Sequence, residues 1–339
     1  MKAAVVRQYG SVNIEDIFEP APNEYQVLCQ VLCWATCNST DYRAVNGSIF
    51  TNVGLPFVLG HETVGRVMAV SPKVRSYSVG DTLLRVTAVY PGTRMGKFSS
   101  ALGSFTEVGL ATDTEAMKAD GLDVSDLAIT HFLHQKVPAD MDPGDAAMII
   151  NLREALSWVK ALGVAGKSVL VIGDGPVGLG FVQCASVRGA APVILVGHHE
   201  SRLQLGRKVG ATHTLNSLDV PFLEAIWDLT SGEGIDVLID CIGDQKVLGQ
   251  ALSVVKPKGK VAAYGSPKVP PTGPTPADRR IQKIRTDEAG AHEEMLNLIR
   301  EGRINPRHFW SDRLRFDQID EAIRRIGNRE ALAKMVLFP

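Results

Sequence analysis

Short apolar segments separated by turn residues fill the first 150 residues and predict β-strands rather than helices. The clearest strands are expected at 26–33, 62–70 and 83–86. Ser71-Pro72 ends the second of these strands, and Val79-Gly80-Asp81 forms a turn before the third. The pattern predicts an antiparallel, barrel-like β domain.

The pattern changes beyond residue 153, where apolar positions first recur at helical spacing and then alternate with buried strands. Helices are expected at 153–162 and 179–187. Strands are expected at 169–172, 192–197, 235–239 and 260–264. Strands that alternate with helices predict a doubly wound parallel sheet, so the fold class is α/β.

The end of the chain is mixed. The segment 266–276 is rich in proline, which excludes a helix or a central strand, and we expect a loop or an exchange segment there. An amphipathic helix is expected at 292–300 and another at 316–326, followed by a closing strand at 334–338.

The strand at 169–172 leads into a glycine-rich turn that reads Gly173-Asp174-Gly175-Pro176-Val177-Gly178. This is the G-x-G-x-x-G pattern in the strand–turn–helix context that gives it meaning. Gly173 permits the tight turn, Gly175 lets a pyrophosphate approach the backbone, and Gly178 lets helix and strand pack closely. The N–H groups at the start of the helix then face the phosphates, so the turn predicts a dinucleotide site.

Composition and charge exclude several classes of function. A chain of 339 residues suits two domains, and 45% hydrophobic and 22% charged residues are typical of a globular α/β protein. The net charge of −1 does not indicate a nucleic-acid surface. No apolar run approaches the roughly 20 residues that span a bilayer, and the N-terminus lacks the apolar core of a signal peptide. Five cysteines, none in a C-x-x-C pair, suit a reducing compartment, so we expect a cytoplasmic protein without membrane or nucleic-acid partners.

Several motifs occur in an order that resembles the medium-chain dehydrogenase/reductase superfamily, in particular its zinc-type alcohol and polyol dehydrogenases. They are Leu59-Gly60-His61-Glu62-x-x-Gly65, Val79-Gly80-Asp81, Gly103-Ser104-Phe105-Thr106-Glu107, the turn at 173–178, the segment 236–243 and Lys334-Met335-Val336-Leu337. The resemblance implies a GroES-like β-barrel catalytic domain at 1–150 and 291–339 and a Rossmann domain at 151–290. It also implies hydride transfer between a nicotinamide cofactor and an alcohol/carbonyl pair, or to an activated C=C bond.

The chain departs from the zinc-dependent branch at the metal ligands. That branch carries Cys-x-Ser/Thr-Asp, and here Asn38-Ser39-Thr40-Asp41 stands in its place, so Asn38 replaces the thiolate. His61 fills the second ligand position, but Ile150-Asn151 fills the third. A catalytic zinc needs three protein donors, and residues 82–110 contain no cysteine for a structural zinc. A protein without bound metal is therefore expected.

The alternative is a displaced metal site. Cys37 precedes Asn38, and Glu154 lies one helical turn beyond Ile150, so these two residues could join His61. A shift of one residue in a strand turns a side chain to the other face, which argues against Cys37 as a ligand.

The residues after the second Rossmann strand bear on the form of the cofactor. NAD-specific domains place Asp or Glu there, about 20 residues beyond the last glycine of the turn, to bind the ribose 2′-OH. Here Gly197 leaves room for a 2′-phosphate, and His198, His199 and Arg202 can donate to it. NADP(H) is therefore expected, with NAD(H) the alternative. The expected cofactor contacts are Gly173, Gly175, Pro176, Val177, Gly178, Gly197, His198, His199, Arg202, Cys241, Ile242 and Gly265.

Without zinc, another group must polarise the substrate oxygen and supply its proton. The resemblance places Asn38, Thr40, His61 and Glu62 near the nicotinamide. Thr40 matches the hydroxyl that relays the proton in zinc-type members. His61 ordinarily titrates near neutrality and can donate the proton, while Glu62 holds its tautomer.

The sequence thus predicts a zinc-independent, NADP(H)-dependent oxidoreductase acting on a small alcohol/carbonyl substrate, such as a polyol or sugar derivative. One alternative is an NADPH-dependent reductase of an enone, quinone or imine, and another is an inert NADPH-binding protein. The resemblance further implies a homodimer or a tetramer. The segment 111–135 is longer than is usual in the family, and it is expected to form either a lid or a surface excursion.

Overall fold

The computed structural model describes residues 1–265, 278–281 and 284–339, so the proline-rich segment 266–276 lies outside the described residues. The chain divides into two compact units, one of Met1–Ile150 with Trp310–Pro339 and one of Asn151–Phe309. The segment 291–309, which the resemblance assigned to the first domain, therefore groups with the second unit. Its Glu294 forms ion pairs with Lys160 and Arg188 of that unit, which holds the segment there.

The helices and strands follow in chain order. The first unit begins with β1 (Lys2–Val6), β2 (Asn13–Asp16), β3 (Gln26–Ala35), α1 (Thr40–Val45), β4 (Phe57–Val58), β5 (Thr63–Val70), β6 (Thr82–Leu84), β7 (Arg94–Met95), β8 (Phe98–Ser100), β9 (Val108–Thr112), α2 (Thr114–Ala119) and β10 (Lys136–Val137). The helix α3 (Pro143–Leu162) begins in the first unit and ends in the second. The second unit continues with β11 (Val169–Ile172), α4 (Pro176–Val187), β12 (Val193–Gly197), α5 (Glu200–Lys208), β13 (His213–Asn216), α6 (Phe222–Leu229), β14 (Ile235–Asp240), α7 (Gln245–Ala251), β15 (Val255–Ala263) and α8 (His292–Arg300). The chain returns to the first unit with β16 (Trp310–Arg315), α9 (Ile319–Gly327) and β17 (Lys334–Phe338).

The strands of the first unit form two sheets. One has the order β2-β1-β4-β8-β7, and the other has the order β10-β6-β5-β3-β17-β16 with β9 also paired to β3. The strand β3 is central, because it pairs in antiparallel fashion with β5, β9 and β17. Its inward residues, including Val27, Val31 and Trp34, are buried. The barrel-like β domain predicted from the sequence is thus built from two mainly antiparallel sheets.

The second unit carries a five-stranded parallel sheet in the order β13-β12-β11-β14-β15. The four residues of β11 are all buried, as a strand covered on both faces requires. Strand order reverses beside β11, and ligands of such sheets bind at that point, outside the carboxyl ends of the strands. The predicted Rossmann sheet is confirmed.

The helix α3 begins ten residues before the helix that the periodicity predicted at 153–162. Asp142 explains the difference, since its carboxylate accepts the N–H of Gly144 at 2.8 Å and that of Asp145 at 3.3 Å. Pro143 follows it at the first helical position, where a missing N–H costs nothing. Within the part of the chain that the structure describes, no helix combines the length and the apolar character needed to cross a membrane.

Candidate functional site

The glycine-rich turn has the geometry that its sequence predicted. Gly173 has φ +117°, a conformation that favours glycine. A Cβ on Gly178 would lie 1.8 Å from the carbonyl oxygen of Gly173, so only glycine lets α4 pack this close to β11. A Cβ on Gly175 would meet no atom within 4 Å, which leaves that backbone open. Pro176 opens the helix at a position that needs no N–H partner.

Residues after β14 and β15 close around the same turn. A Cβ on Gly173 would lie 3.1 Å from Cγ1 of Ile242 and 3.3 Å from Cβ of Cys241. The carboxylate of Asp240 accepts the N–H of Ile242 at 2.9 Å, which fixes the chain direction after β14. A Cβ on Gly265 would lie 2.4 Å from the nitrogen of Gly243. The structure therefore brings Gly173, Cys241, Ile242 and Gly265 together at the carboxyl edge of the sheet.

Asp174, inside the turn, reaches the end of the neighbouring strand β12. Its Oδ2 accepts the backbone N–H groups of His198 at 2.9 Å and His199 at 2.8 Å. A Cβ on Gly197 would lie 2.4 Å from Cβ of Asp174 and 2.5 Å from its Oδ2. The room that the sequence analysis expected beside Gly197 is therefore filled by the Asp174 side chain.

The proposed phosphate donors contact this carboxylate as well. Nδ1 of His199 lies 3.1 Å from Oδ2 of Asp174, and Nη1 of Arg202 lies 3.8 Å from its Oδ1. The rings of His198 and His199 lie 4.1 Å apart between centroids. Gly197, His198, His199 and Arg202 thus do come together, but around Asp174, a residue to which sequence reasoning gave no role.

The first unit holds a second constellation, built by segments that are distant in the chain. Cys37 and Asp41 lie where β3 gives way to α1, and His61 and Glu62 immediately precede β5. Gly60 turns the chain there with φ +93°, and a Cβ on it would lie 1.9 Å from the Phe105 ring. Lys334 enters from β17.

These side chains form a compact cluster of paired charges. Nδ1 of His61 lies 3.4 Å from Oδ1 of Asp41, and its Nε2 lies 3.5 Å from Oε1 of Glu62. Nζ of Lys334 donates to both carboxylate oxygens of Glu62, at 2.7 and 2.6 Å. The backbone N–H of Cys37 donates to Oδ2 of Asp41 at 2.7 Å. The side chain of His61 is 13% exposed, so one edge of the ring remains reachable.

The cluster controls the protonation of its members. Burial works against a charged ring at His61, but the neighbouring Asp41 carboxylate and the Cys37 side chain outweigh it and raise the pKa of His61 to about 10. Burial also opposes a Cys37 thiolate, yet the hydrogen bond to His61 and the charge of Lys334 bring the pKa of Cys37 below its usual value. His61 is therefore charged at neutral pH.

Cys37, rather than Asn38, joins His61, contrary to the expectation that a shift of one residue turns Cys37 away. The residues between β3 and α1 are not in a strand, so strict alternation of faces does not apply to them. Sγ of Cys37 accepts the N–H of Thr40 at 3.4 Å, which places Thr40 beside the cluster. Asn38 is half-buried, and among the described residues its Oδ1 has no hydrogen-bond partner.

Comparisons with known proteins identify the class. A model of the alcohol dehydrogenase GroES-like domain matches residues 23–121, and a zinc-binding dehydrogenase model matches residues 176–295. L-threonine 3-dehydrogenase of Pyrococcus furiosus is 31% identical over 261 residues, which cover 76% of this chain and 73% of that protein. Sorbitol dehydrogenase of Bacillus subtilis is 28% identical over 100% of this chain and 97% of its own length. The solved alcohol dehydrogenase TADH from Thermus sp. ATN1 has a TM-score of 0.79 at 22% identity, covering 100% of this chain and 99% of its own.

The chain belongs to the zinc-type medium-chain dehydrogenase/reductase family. It is a nicotinamide-dependent oxidoreductase of the alcohol and polyol dehydrogenase type, as the resemblance implied. The glycine turn and the residues gathered at the sheet edge fit such a cofactor.

The fit of the family's zinc is a separate question. Cys37, His61 and Glu62 offer donor atoms within 4.8 Å of one another. Both oxygens of Glu62 already accept Nζ of Lys334, which would compete with a metal for this carboxylate. Ile150, at the family's third ligand position, is apolar and buried. A catalytic zinc needs three protein ligands and an open position, so at this site it would have to share Glu62 with Lys334 and could take no ligand from Ile150.

Three residues of these sites escaped sequence reasoning. Asp41 ends the very motif that was compared with the zinc branch, so its position was a usable signal. Lys334 was noted only as part of a terminal motif, and its pairing with Glu62 joins positions 272 apart in the chain. Asp174 occupies a variable position of the glycine motif, and only the fold shows where its carboxylate points.

Proposed function

We propose that this chain transfers hydride between a nicotinamide cofactor and a small alcohol/carbonyl substrate, and that His61 and Thr40 replace catalytic zinc. The observation that supports this most is the position of the His61 imidazole, which is 13% exposed, lies between Asp41 and Glu62, and has a pKa raised by Asp41 and Cys37. A polyol or sugar derivative is the proposed substrate class, since sorbitol and threonine dehydrogenases are among the relatives.

The proposed chemistry needs a cation and a proton at the substrate oxygen. When bound, the reduced cofactor supplies the hydride to the carbonyl carbon. As the C=O π bond breaks, negative charge develops on the oxygen, which the imidazolium of His61 stabilises. The oxygen then takes the proton of His61, with the hydroxyl of Thr40 as relay, and solvent returns a proton to the ring. Asp41 and Glu62 hold the ring in place.

Metal analysis of the purified protein tests zinc independence. After mild dialysis we expect far less than one zinc per chain and activity that a chelator does not reduce. The substitution Cys37→Ser, which keeps a hydrogen-bonding group beside His61, should then have a small effect, as should the control Cys29→Ser within β3. About one zinc per chain, lost together with activity in Cys37→Ser, would establish a metal site at Cys37, His61 and Glu62 instead.

A paired substrate panel separates carbonyl reduction from the alternatives. We expect turnover of a ketone or aldehyde that depends on His61. A reductase of enones would retain turnover in His61→Asn, because an enolate can take its proton from water. Cofactor binding without turnover of any ketone, enone, quinone or imine would identify an inert nucleotide-binding protein.

The sequence and the structure favour different cofactors, NADP(H) and NAD(H) respectively. NADP(H) was predicted because β12 ends in Gly197 without a carboxylate. The carboxylate of Asp174 now occupies that space and favours NAD(H). A homodimer or tetramer stays a prediction from the resemblance.

A further inference from the structure

Asp174 is a buried carboxylate at the tip of the glycine turn, only 4% exposed. Burial opposes its charge, but the N–H groups of His199 and His198 and the His199 ring outweigh that cost and lower the pKa of Asp174. The side chain is therefore ionised at neutral pH. Its charge lies at the edge of the sheet where Rossmann domains bind the cofactor.

The position of this carboxylate matches that of a strand-end carboxylate. β11 and β12 are parallel neighbours, with Ile172 opposite Val196, so the turn after one strand faces the end of the other. The Oδ2 atom of Asp174 lies 2.5 Å from the place where a Cβ on Gly197 would stand. Asp174 thus brings a carboxylate from the neighbouring strand to the place where NAD-specific domains carry one on β12.

The surrounding hydrogen bonds leave this carboxylate able to accept one more donor. Oδ2 takes two backbone N–H groups and the nearer contact of the His199 ring, and Oδ1 faces the same ring at 3.3 Å and Arg202 at 3.8 Å. An ionised carboxylate has about four acceptor positions. The two N–H groups and the His199 ring take three of them, and Arg202 at 3.8 Å is beyond hydrogen-bond distance, so a ribose hydroxyl can still donate to Oδ1. A 2′-phosphate carries about −1.5 to −2 charges at neutral pH and would meet a fixed negative charge instead.

We propose that Asp174 is the cofactor-selecting residue, which accepts the ribose 2′-OH and disfavours a 2′-phosphate, so that the chain prefers NAD(H) over NADP(H). In this arrangement Gly197 is glycine because Asp174 needs the space, and Arg202 neutralises the buried carboxylate rather than binding a phosphate. The proposal deepens the proposed function and rests on its nicotinamide cofactor, but not on its substrate or on zinc.

Fluorescence titration of the full chain with NADH and NADPH, in EDTA, tests the proposal without turnover. EDTA removes any cation that Asp174, His198 and His199 could hold. The wild type should bind NADH more tightly. Asp174→Asn keeps the shape of the side chain and removes its charge. It should weaken the binding of NADH, strengthen the binding of NADPH and shift the ratio of the two dissociation constants by about 10-fold or more. The control Asp236→Asn removes a carboxylate that accepts the Ser168 N–H at the opposite end of the sheet, and should leave the ratio unchanged.

A double variant keeps the test decisive if Asp174→Asn folds poorly. Gly197→Asp alone should be damaging, because its Cβ would lie 2.4 Å from that of Asp174. Asp174→Gly combined with Gly197→Asp removes the collision, moves the carboxylate to β12 and should restore the preference for NADH.

Three results would overturn the proposal. One is a wild type that binds NADPH more tightly than NADH. Another is an Asp174→Asn variant that binds both cofactors more weakly by the same factor, as expected if Asp174 has only a structural role. The third is an Asp174→Asn variant in which NADPH binding is weakened more than NADH binding, because Asp174 would then serve to orient side chains that bind the 2′-phosphate. A wild type that binds neither cofactor would overturn the nicotinamide function as well. Tight NADH binding without turnover would remove the proposed reaction and leave the role of Asp174 standing.

Discussion

At the scale of single residues, the buried pair of Glu62 and Lys334 sets the character of the first unit's site. Lys334 is 2% exposed, and burial opposes its charge, but the charge of Glu62 outweighs that and raises the pKa of Lys334. A buried charge without its partner is strongly unfavourable. The pair therefore stabilises the unit only while both members are present.

Replacing Lys334 by Met should lower the free energy of unfolding by about 3–5 kcal/mol, because Glu62 would be left as an unpaired buried charge. Urea denaturation measures the change. Adding Glu62→Gln to the same chain should recover much of the loss. Lys118→Met, which removes an exposed ion pair with Glu115, is the matched control and should change stability little. An equally small change in the free energy of unfolding for Lys334→Met would show that the pair of Glu62 and Lys334 contributes little to stability.

The surroundings of His61 shift the pKa of its imidazole. From its ordinary pKa the ring was expected to titrate near neutrality, but Asp41 and Cys37 raise its pKa to about 10. The protonated ring is the form that donates. Carbonyl reduction should accordingly be independent of pH through neutrality and fall as pH rises through about 10.

His61→Asn should reduce turnover of a ketone by about 100- to 10,000-fold and remove this alkaline fall, while NADH binding stays nearly unchanged. Steady-state rates from neutral to alkaline pH, with cofactor affinity measured alongside, provide the check. His213→Asn alters an exposed histidine on β13 and serves as the control. Wild-type turnover in His61→Asn would mark His61 as a remnant of a lost metal site.

At the scale of elements, the segment 111–135 is anchored to the first unit. Asp113 caps α2 and accepts the N–H groups of Arg75 and Ser76, both at 2.7 Å. At its other end the ring of His131 stacks on Tyr90 with centroids 3.7 Å apart. The sequence left two alternatives for this segment, a lid or a surface excursion. These contacts favour a surface excursion that is fixed at both ends.

The His131 contact should make this segment sensitive to acid. Burial lowers the pKa of His131 to about 4, below the roughly 6.5 of an unfolded chain. The stability it contributes is present above about pH 6.5 and is lost as pH falls toward 4. His131→Phe keeps the stacking and removes the titration, so it should flatten the fall in unfolding free energy over this range, whereas the exposed His213→Phe should not. Parallel pH profiles for wild type and His131→Phe would contradict this.

At the scale of the whole molecule, the two units differ in continuity. The second unit is one stretch of chain, whereas the first needs both termini, since β17 pairs with β3 and β16 pairs with β17. Lys334 also reaches Glu62 only through β17. The first unit therefore cannot be complete until the last strand is present.

A fragment of residues 143–309, which includes all of α3, should fold alone and unfold cooperatively. A fragment of residues 1–150 should lack fixed tertiary structure, because β3 loses a partner strand and Glu62 loses its cation. Near-ultraviolet circular dichroism and urea titration compare the two. A natively folded 1–150 fragment would show that β16 and β17 are dispensable.

Much of the fold was readable from local pattern. The strands at 169–172 and 334–338 and the helix at 292–300 match β11, β17 and α8, because continuous apolar runs and helical periodicity depend on neighbours in the chain. The glycine turn was equally readable, since its requirements are steric and local. The start of α3 at Pro143 was missed, although Asp142 carried a capping signal.

The sequence by itself determined the class of this protein, its two kinds of domain and the place of its dinucleotide turn. Only the tertiary structure decided which side chains meet: Cys37 with His61, Lys334 with Glu62, and Asp174 with the end of β12. The physical reason is that secondary structure follows from local sterics and hydrophobic periodicity, whereas a pair of charges depends on strand register and packing between distant segments. Gly197 is the plainest example. From the sequence, its missing side chain indicates free space at the end of β12, but in the fold the side chain of Asp174 fills that space.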